Sequence, residues 1–175
     1  YKDLFATPAH QHSDIGESKG YYYSMQGHAE KCVEKYCELA NFDVMKLKTV
    51  STPCIDDHAI PANEFEGKGV LQSVCARIVL KGIFLARISR PDLLGACNTL
   101  ARVVTKWTPA CDRRLLRLIS YIHCTKHWVM KCVVGDSPKN MKLAVYSAAS
   151  FAGDLQDSKS TTGGVLCLVG PQTFV

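Results

Sequence analysis

Three groups of side chains in this 175-residue chain have types and spacings that could do chemistry. The first is basic. Between Arg102 and Lys131 stand Arg102, Lys106, Arg113, Arg114, Arg117, Lys126 and Lys131, against the single acid Asp112. The net charge of the whole chain is +5, so this stretch holds the entire excess. Such a cluster can neutralise phosphates and release their counterions, and Trp107, Tyr121 and Trp128 beside it could stack on bases. Charge alone fits a solvated helix face equally well. Aromatic rings at these positions also serve as core fillers, the preferred reading for Trp128, which falls in a strand pattern.

The second group is Ile55-Asp56-Asp57-His58, adjacent carboxylates of the kind that hold two metal ions in polymerases. That chemistry needs a tight hairpin between apolar strands. Pro53 and Pro61 disfavour both strands, so the group reads as a solvated connector. The third group, His123, Cys124, His127 and Cys132, offers zinc-type ligands. The helix carrying the histidines should end near Thr125, and no second pair completes a zinc spacing. Surface histidines beside buried thiols are the better description. His10-Gln11-His12 is a weaker version of the same signal. The chain has no glycine-rich phosphate loop, Gly-x-Ser-x-Gly elbow or His-Glu-x-x-His helix.

A composition of 47% hydrophobic and 21% charged residues is globular and excludes disorder, collagen and coiled coil. No apolar run is long enough for a membrane helix, because Arg77, Lys81 and Arg87 interrupt the most apolar stretch, 74–88. No membrane partner is expected. The nine cysteines are odd in number and none forms a Cys-x-x-Cys pair, which points to a reduced, intracellular protein of the cytoplasm or nucleus. Tyr1-Lys2-Asp3 opens the chain with neither a starting Met nor a signal-peptide core, as an internal piece of a longer protein would.

These groups must be carried on local structure. Residues 1–24, with Pro8, Gly16, Gly20 and Tyr21-Tyr22-Tyr23, show no periodicity and read as irregular. Helical spacing of Ala29, Val33, Tyr36, Cys37 and Ala40 predicts an amphipathic helix over 25–40, capped by Ser24. Residues 41–66 form a connector. A second helix over 69–88 is apolar nearly all round and should be largely buried. Arg90-Pro91-Asp92 starts a third, with Leu93, Cys97, Leu100, Ala101 and Val104 as its apolar stripe. Thr108-Pro109 starts a fourth, directing Leu115, Leu116, Leu118, Ile119 and Ile122 inward. Beyond Thr125 the period falls to 2. The expectation is a strand over 128–134, a turn over 135–140 and its antiparallel partner over 141–147. A polar loop with Gly153, Asp154, Asp157 and Lys159, a strand over 165–169 and another from Thr173 follow. A sheet stopping there would leave an open edge, a second sign of truncation.

Three collinear segments across residues 85–170 resemble the Pol polyprotein of copia-type LTR retrotransposons. Arg87-Ile88-Ser89-Arg90-Pro91-Asp92-Leu93-Leu94 is similar to the family's threonine-arginine-proline-aspartate-isoleucine segment. Arg117-Leu118-Ile119-Ser120-Tyr121-Ile122-His123-Cys124-Thr125-Lys126 resembles its arginine-tyrosine-leucine-lysine-glycine-threonine helix end. The most specific is Tyr146-Ser147-Ala148-Ala149-Ser150-Phe151-Ala152-Gly153-Asp154, followed by Asp157-Ser158-Lys159-Ser160-Thr161-Thr162-Gly163-Gly164. It is similar to the family's tyrosine-serine-aspartate-alanine-aspartate-tryptophan-alanine-glycine-aspartate stretch and its lysine-serine-threonine-serine-glycine sequel.

The resemblance implies an α+β chain. From its own residues the chain over 1–66 reads as an irregular N-terminal segment with one helix and a connector. Residues 67–127 would be a helical cluster like a reverse transcriptase thumb or connection, and 128–175 an incomplete antiparallel sheet of ribonuclease H type. The family's polymerase carboxylates lie upstream, and its further nuclease carboxylates should lie beyond Val175. Its first nuclease carboxylate position is occupied here by Ala148, so no catalytic residue and no metal ligand is expected in this chain, although the intact family enzyme uses magnesium. Losing one oxygen ligand of a two-metal site costs ~10³-fold or more in rate. The expectation is therefore an inactive Pol fragment, with the rest of the polyprotein and, weakly, an RNA–DNA hybrid as partners. The alternatives are a non-enzymatic nucleic-acid-binding module using Arg113, Arg114, Arg117 and Lys126, and a degenerate remnant of the element.

Overall fold

The computed structural model describes residues 19–150 and 160–175. The polar loop with Gly153, Asp154, Asp157 and Lys159, and the irregular reading of residues 1–18, lie outside the described residues. The architecture is α+β. In chain order it has β1 (Lys19–Ser24), α1 (Gln26–Ala40), α2 (Cys75–Ile88), α3 (Leu94–Ala101), α4 (Pro109–Thr125), β2 (Val129–Val134), β3 (Lys142–Ser150), β4 (Thr161–Gly170) and β5 (Thr173–Phe174). Tyr21, Tyr22 and Tyr23 thus lie in a strand, not in irregular chain. Aromatic side chains suit a pleated surface, and period 2 is hard to detect in six residues.

Residues 23–130 form one compact unit built on four helices. α1 buries Ala29, Cys32, Val33 and Tyr36 at the spacing its sequence predicts. It ends at Asn41, whose left-handed conformation (φ 48°) directs its backbone N–H back to the Cys37 carbonyl. Ser24 does not cap it: Met25 holds the cap position without a side-chain hydrogen bond. α1 belongs to the same core as the later helices rather than to a separate N-terminal segment, since its buried face joins Ile78, Leu85, Leu100, Leu115, Leu118 and Ile122. Each large apolar side chain fully buried there contributes about 1.5–3 kcal/mol relative to exposure. Pro91 opens a 3₁₀ turn that leads into α3, and Pro109 takes the first turn of α4, where its missing N–H costs nothing.

α2 departs from expectation twice. It begins at Cys75, because residues 69–74 are spent on turns around Gly69. A Cβ at Gly69 would sit 2.5 Å from the Thr108 carbonyl oxygen and 2.7 Å from Trp107 Cδ1, so only glycine fits there. Nor is the helix buried all round: Leu80, Phe84 and Ile88 are 64%, 52% and 44% exposed. The other helices reach one side of α2 only, which composition does not reveal.

The second unit joins 131–150 and 160–175 to residues 19–22. Its sheet has the order β1-β2-β5-β4-β3. β3 and β4 pair antiparallel from Lys142↔Val169 to Ser150↔Thr161. β4 turns back into β5 at Pro171-Gln172, with Gly170 opposite Thr173. The expected β2–β3 hairpin does not form: β2 pairs with β5, Val133 opposite Phe174. Long-range hydrogen bonds override chain proximity here. Thr173 Oγ1 accepts from the Gly135 and Asp136 N–H groups at 3.2 and 3.1 Å, and Asp136 Oδ2 accepts from Gln172 N–H at 2.8 Å. These bonds dock β5 at the end of β2. The 3₁₀ turn Pro138–Asn140 then carries the chain across to β3 at the far edge.

Candidate nucleic-acid interface

α4 carries the residues singled out by charge, and its inward face fixes where they point. Leu115, Leu118, Ile119 and Ile122 are buried while Leu116 is half-buried, so the positions between them turn outward. The arginines there meet the 52–65 connector. Arg113 donates to Glu64, from Nε to Oε2 at 2.8 Å and from Nη2 to Oε1, a two-pronged ion pair. The hydrogen bond from Arg113 holds the Glu64 carboxyl below its usual range. Arg114 reaches Asp57 Oδ1 from Nη2 at 2.7 Å and from Nε at 3.1 Å, and its guanidinium lies 5.4 Å from the Phe65 ring centre. Arg117 donates to the Thr52 carbonyl and hydroxyl, both at 2.9 Å. Lys126, past the helix end, lies 3.6 Å from Glu30 of α1. All four cations therefore have partners within the chain. Arg113, Arg114 and Arg117 act together as a clasp on the connector, and Lys126 stands apart from them.

The carboxylate pair of the connector is divided. Asp57 takes the Arg114 guanidinium, while Asp56 accepts from His58 N–H at 3.0 Å as the cap of a short turn. Among the described residues no three His, Cys, Asp or Glu side chains converge as a metal site would require. Cys124 donates to the Ser120 carbonyl at 2.8 Å, a bond within its own helix. All nine cysteines are free thiols.

The aromatic residues also divide. Trp107 is fully buried and donates from Nε1 to Asp112 Oδ1 at 2.7 Å. Tyr121 is buried, whereas Trp128 precedes β2 and is 48% exposed, so it fills no core. Trp128 meets Tyr121 edge-on, with ring centres 6.1 Å apart.

Two residues that the sequence marked only as a lone acid and as part of a helix start organise the fold. Asp112 accepts from Val70 N–H (2.6 Å), Leu71 N–H (3.1 Å) and Trp107 Nε1, which ties the turn before α2 to α4. Arg90 is 3% exposed. It forms a forked pair with Asp92 at 2.9 and 2.7 Å and donates to the Thr125 carbonyl and hydroxyl at 2.9 and 2.8 Å. The Tyr121 and Trp128 rings lie 5.7 and 5.2 Å from its guanidinium. A cation is thereby held at the negative end of α4, where the last carbonyls need a donor.

Ala148 lies on β3 opposite Gly163, with its methyl group exposed. A cavity of about 640 Å³ lies elsewhere, between α1, the 42–44 turn and the end of α4, lined by Val33, Cys37, Phe42 and Val44 with Glu34 and His123 among its polar groups.

In the comparisons with known proteins, this chain is 28% identical over 88 residues to secreted RxLR effector protein 161 of Plasmopara viticola. The match takes in 50% of this chain and spans 60% of that protein's length. No family model matches the chain. No solved structure matches it.

Proposed function

We propose that this chain derives from the reverse transcriptase–ribonuclease H junction of a copia-type Pol polyprotein and acts without catalysis. One observation carries the reading. The Arg90-Pro91-Asp92 and Arg117–Lys126 segments, which resemble the family separately, are joined in space by Arg90, which grips Asp92 and Thr125 at once. Two motifs locked together in this way would be inherited together. The antiparallel β3–β4 pair carrying Tyr146–Ala149 and Thr161–Gly164 also suits the opening strands of a ribonuclease H-like sheet.

Magnesium-assisted cleavage of an RNA–DNA hybrid needs several carboxylates around the metal. At position 148 a methyl group stands where the resemblance calls for one of them. The Plasmopara protein is named as secreted. Here nine free thiols, several of them deep in the apolar core, favour a reducing cytoplasmic or nuclear setting. The partners that fit are the remainder of the polyprotein and, at low affinity, an RNA–DNA hybrid. Phosphates reaching Arg113, Arg114 and Arg117 must compete with Glu64, Asp57 and Thr52. Hybrid binding is accordingly expected in the non-specific range, roughly 10⁻⁴–10⁻⁶ M at physiological salt.

Incubation with a labelled RNA–DNA hybrid and magnesium tests the catalytic part. Neither the natural chain nor Ala148→Asp should cut the RNA strand, and robust cleavage by the natural chain overturns the reading. The flanking genomic frame tests the descent: a paired-aspartate hairpin upstream and further acidic strands downstream are expected, and unrelated sequence on both sides would refute it.

A further inference from the structure

We propose that the open face of α2 is a docking surface for an acidic amphipathic helix of a partner protein. The proposal is independent of the chain's descent and uses none of the residues discussed as a nucleic-acid interface. Leu80, Phe84 and Ile88 follow one another at four-residue spacing, so they form one stripe along the helix, and all are substantially exposed. Phe84 meets the His28 ring of α1, with ring centres 5.0 Å apart. Together the three make one contiguous exposed apolar patch, the kind of surface on which interaction sites are found.

The charges decide the occupant. Arg77 and Arg87 are exposed, α2 contains no acidic residue, and among the described residues neither arginine has an ion-pair partner. At 3.6 residues per turn they fall about 60° and about 20° to either side of Leu80 around the axis, within the apolar face itself. Along the axis Arg77 precedes Leu80 by about one turn and Arg87 lies level with Ile88, so the two stand about 15 Å apart. A membrane surface fits this poorly, since interfacial helices carry their cations on the polar face and a bilayer would have to bury these two. A second copy of α2 would bring arginine against arginine. Nucleic acid would satisfy the guanidiniums but leave the stripe against sugar and phosphate. A partner helix with its own apolar stripe and two carboxylates about 15 Å apart, one beyond the stripe's end and one beside its last residue, satisfies every group.

The test titrates the whole chain into a fluorescent designed helix bearing three leucines at four-residue spacing, with one glutamate a turn beyond the stripe and a second beside its far leucine, about 15 Å apart. A twin peptide carries lysines in place of the glutamates. The acidic peptide is expected to bind at micromolar concentrations and the twin at least ~10-fold more weakly. The double variant Arg77→Glu/Arg87→Glu should invert that preference, and Leu80→Ser should weaken both peptides. All these positions are exposed, so circular dichroism should show unchanged folding. Equal binding of the twins, binding of neither, or an unchanged preference in the double variant overturns the proposal. Capture of the chain by phosphatidylserine vesicles or by an RNA–DNA hybrid, with the acidic peptide ignored, overturns it as well.

Discussion

Arg90→Met should remove about 3 kcal/mol of stability. The residue is 3% exposed and spends four hydrogen bonds on two partners, Asp92 and Thr125. Breaking a buried ion pair from one side costs about 3–5 kcal/mol, because a charge is left without its partner. Here the Asp92 side chain is 34% exposed, so water recovers part of that loss and the lower end applies. The Thr125 carbonyl at the end of α4 also loses its donor, while the methionine stem keeps most of the volume between the Tyr121 and Trp128 rings. Arg90→Lys retains the charge but not the fork, and should cost about 1–2 kcal/mol. Urea unfolding followed by fluorescence measures both through the midpoint, provided the slope is unchanged. In a double-mutant cycle with Asp92→Asn, the coupling should reach at least ~1 kcal/mol. If Arg90→Met loses less than about 1 kcal/mol at constant slope, the joint between the two segments is not structural and the inheritance argument built on it falls.

Asp112→Ala should cost about 2–3 kcal/mol and redshift the Trp107 emission, because a buried indole N–H and two backbone N–H groups lose one shared acceptor. An unshifted spectrum would show that another acceptor replaces it. Burial pushes the Cys32 thiol up to about 11, and the Tyr36 phenol and Cys97 thiol up to about 12. The folded chain thus keeps protons that the unfolded chain surrenders from about pH 9 upward. Stability should be level around neutral pH and fall from about pH 9 towards pH 12. Urea midpoints between pH 7.5 and 10.5 check the sign, and a midpoint that rises with pH contradicts it. Arg114→Ala, which removes a guanidinium only 13% exposed at its side chain, should cost about 1 kcal/mol and speed amide exchange in the 52–65 connector. Exchange rates there equal to those of the natural chain would mean the clasp holds nothing.

The helices were largely legible because their causes are local. Thr108-Pro109 marks the start of α4 and the Leu115, Leu118, Ile119 and Ile122 spacing marks its buried side, all within one stretch of chain. α2 was legible as a helix but not in its exposure, since Leu80, Phe84 and Ile88 are as apolar as their buried neighbours and only the placement of the other helices leaves them open. The strands from Trp128 onward were found by period, yet their pairing was misread. Proximity favoured a β2–β3 hairpin, whereas Thr173 and Asp136, 37 residues apart, join β5 to β2. The basic residues of α4 were visible as charge, but their partners Glu64 and Asp57 lie 49 and 57 residues away and formed no pattern with them. Asp112 looked like a lone acid among cations. Its role comes from the buried indole and two backbone N–H groups that converge on it.

The three arginines on α4 span little more than one helical turn, yet their partners Thr52, Asp57 and Glu64 are spread over a much longer run of chain. The connector is therefore gathered, like cloth on a drawstring, with slack between its stitches. Extra residues inserted between the stitches would only enlarge a small loop, and doubling such a loop costs only about 0.6 kcal/mol. A single residue inserted into α4 between Arg114 and Arg117 would swing one stitch about 100° around the axis and let that part of the fabric go. Length is thus free to drift on one side of this contact and frozen on the other.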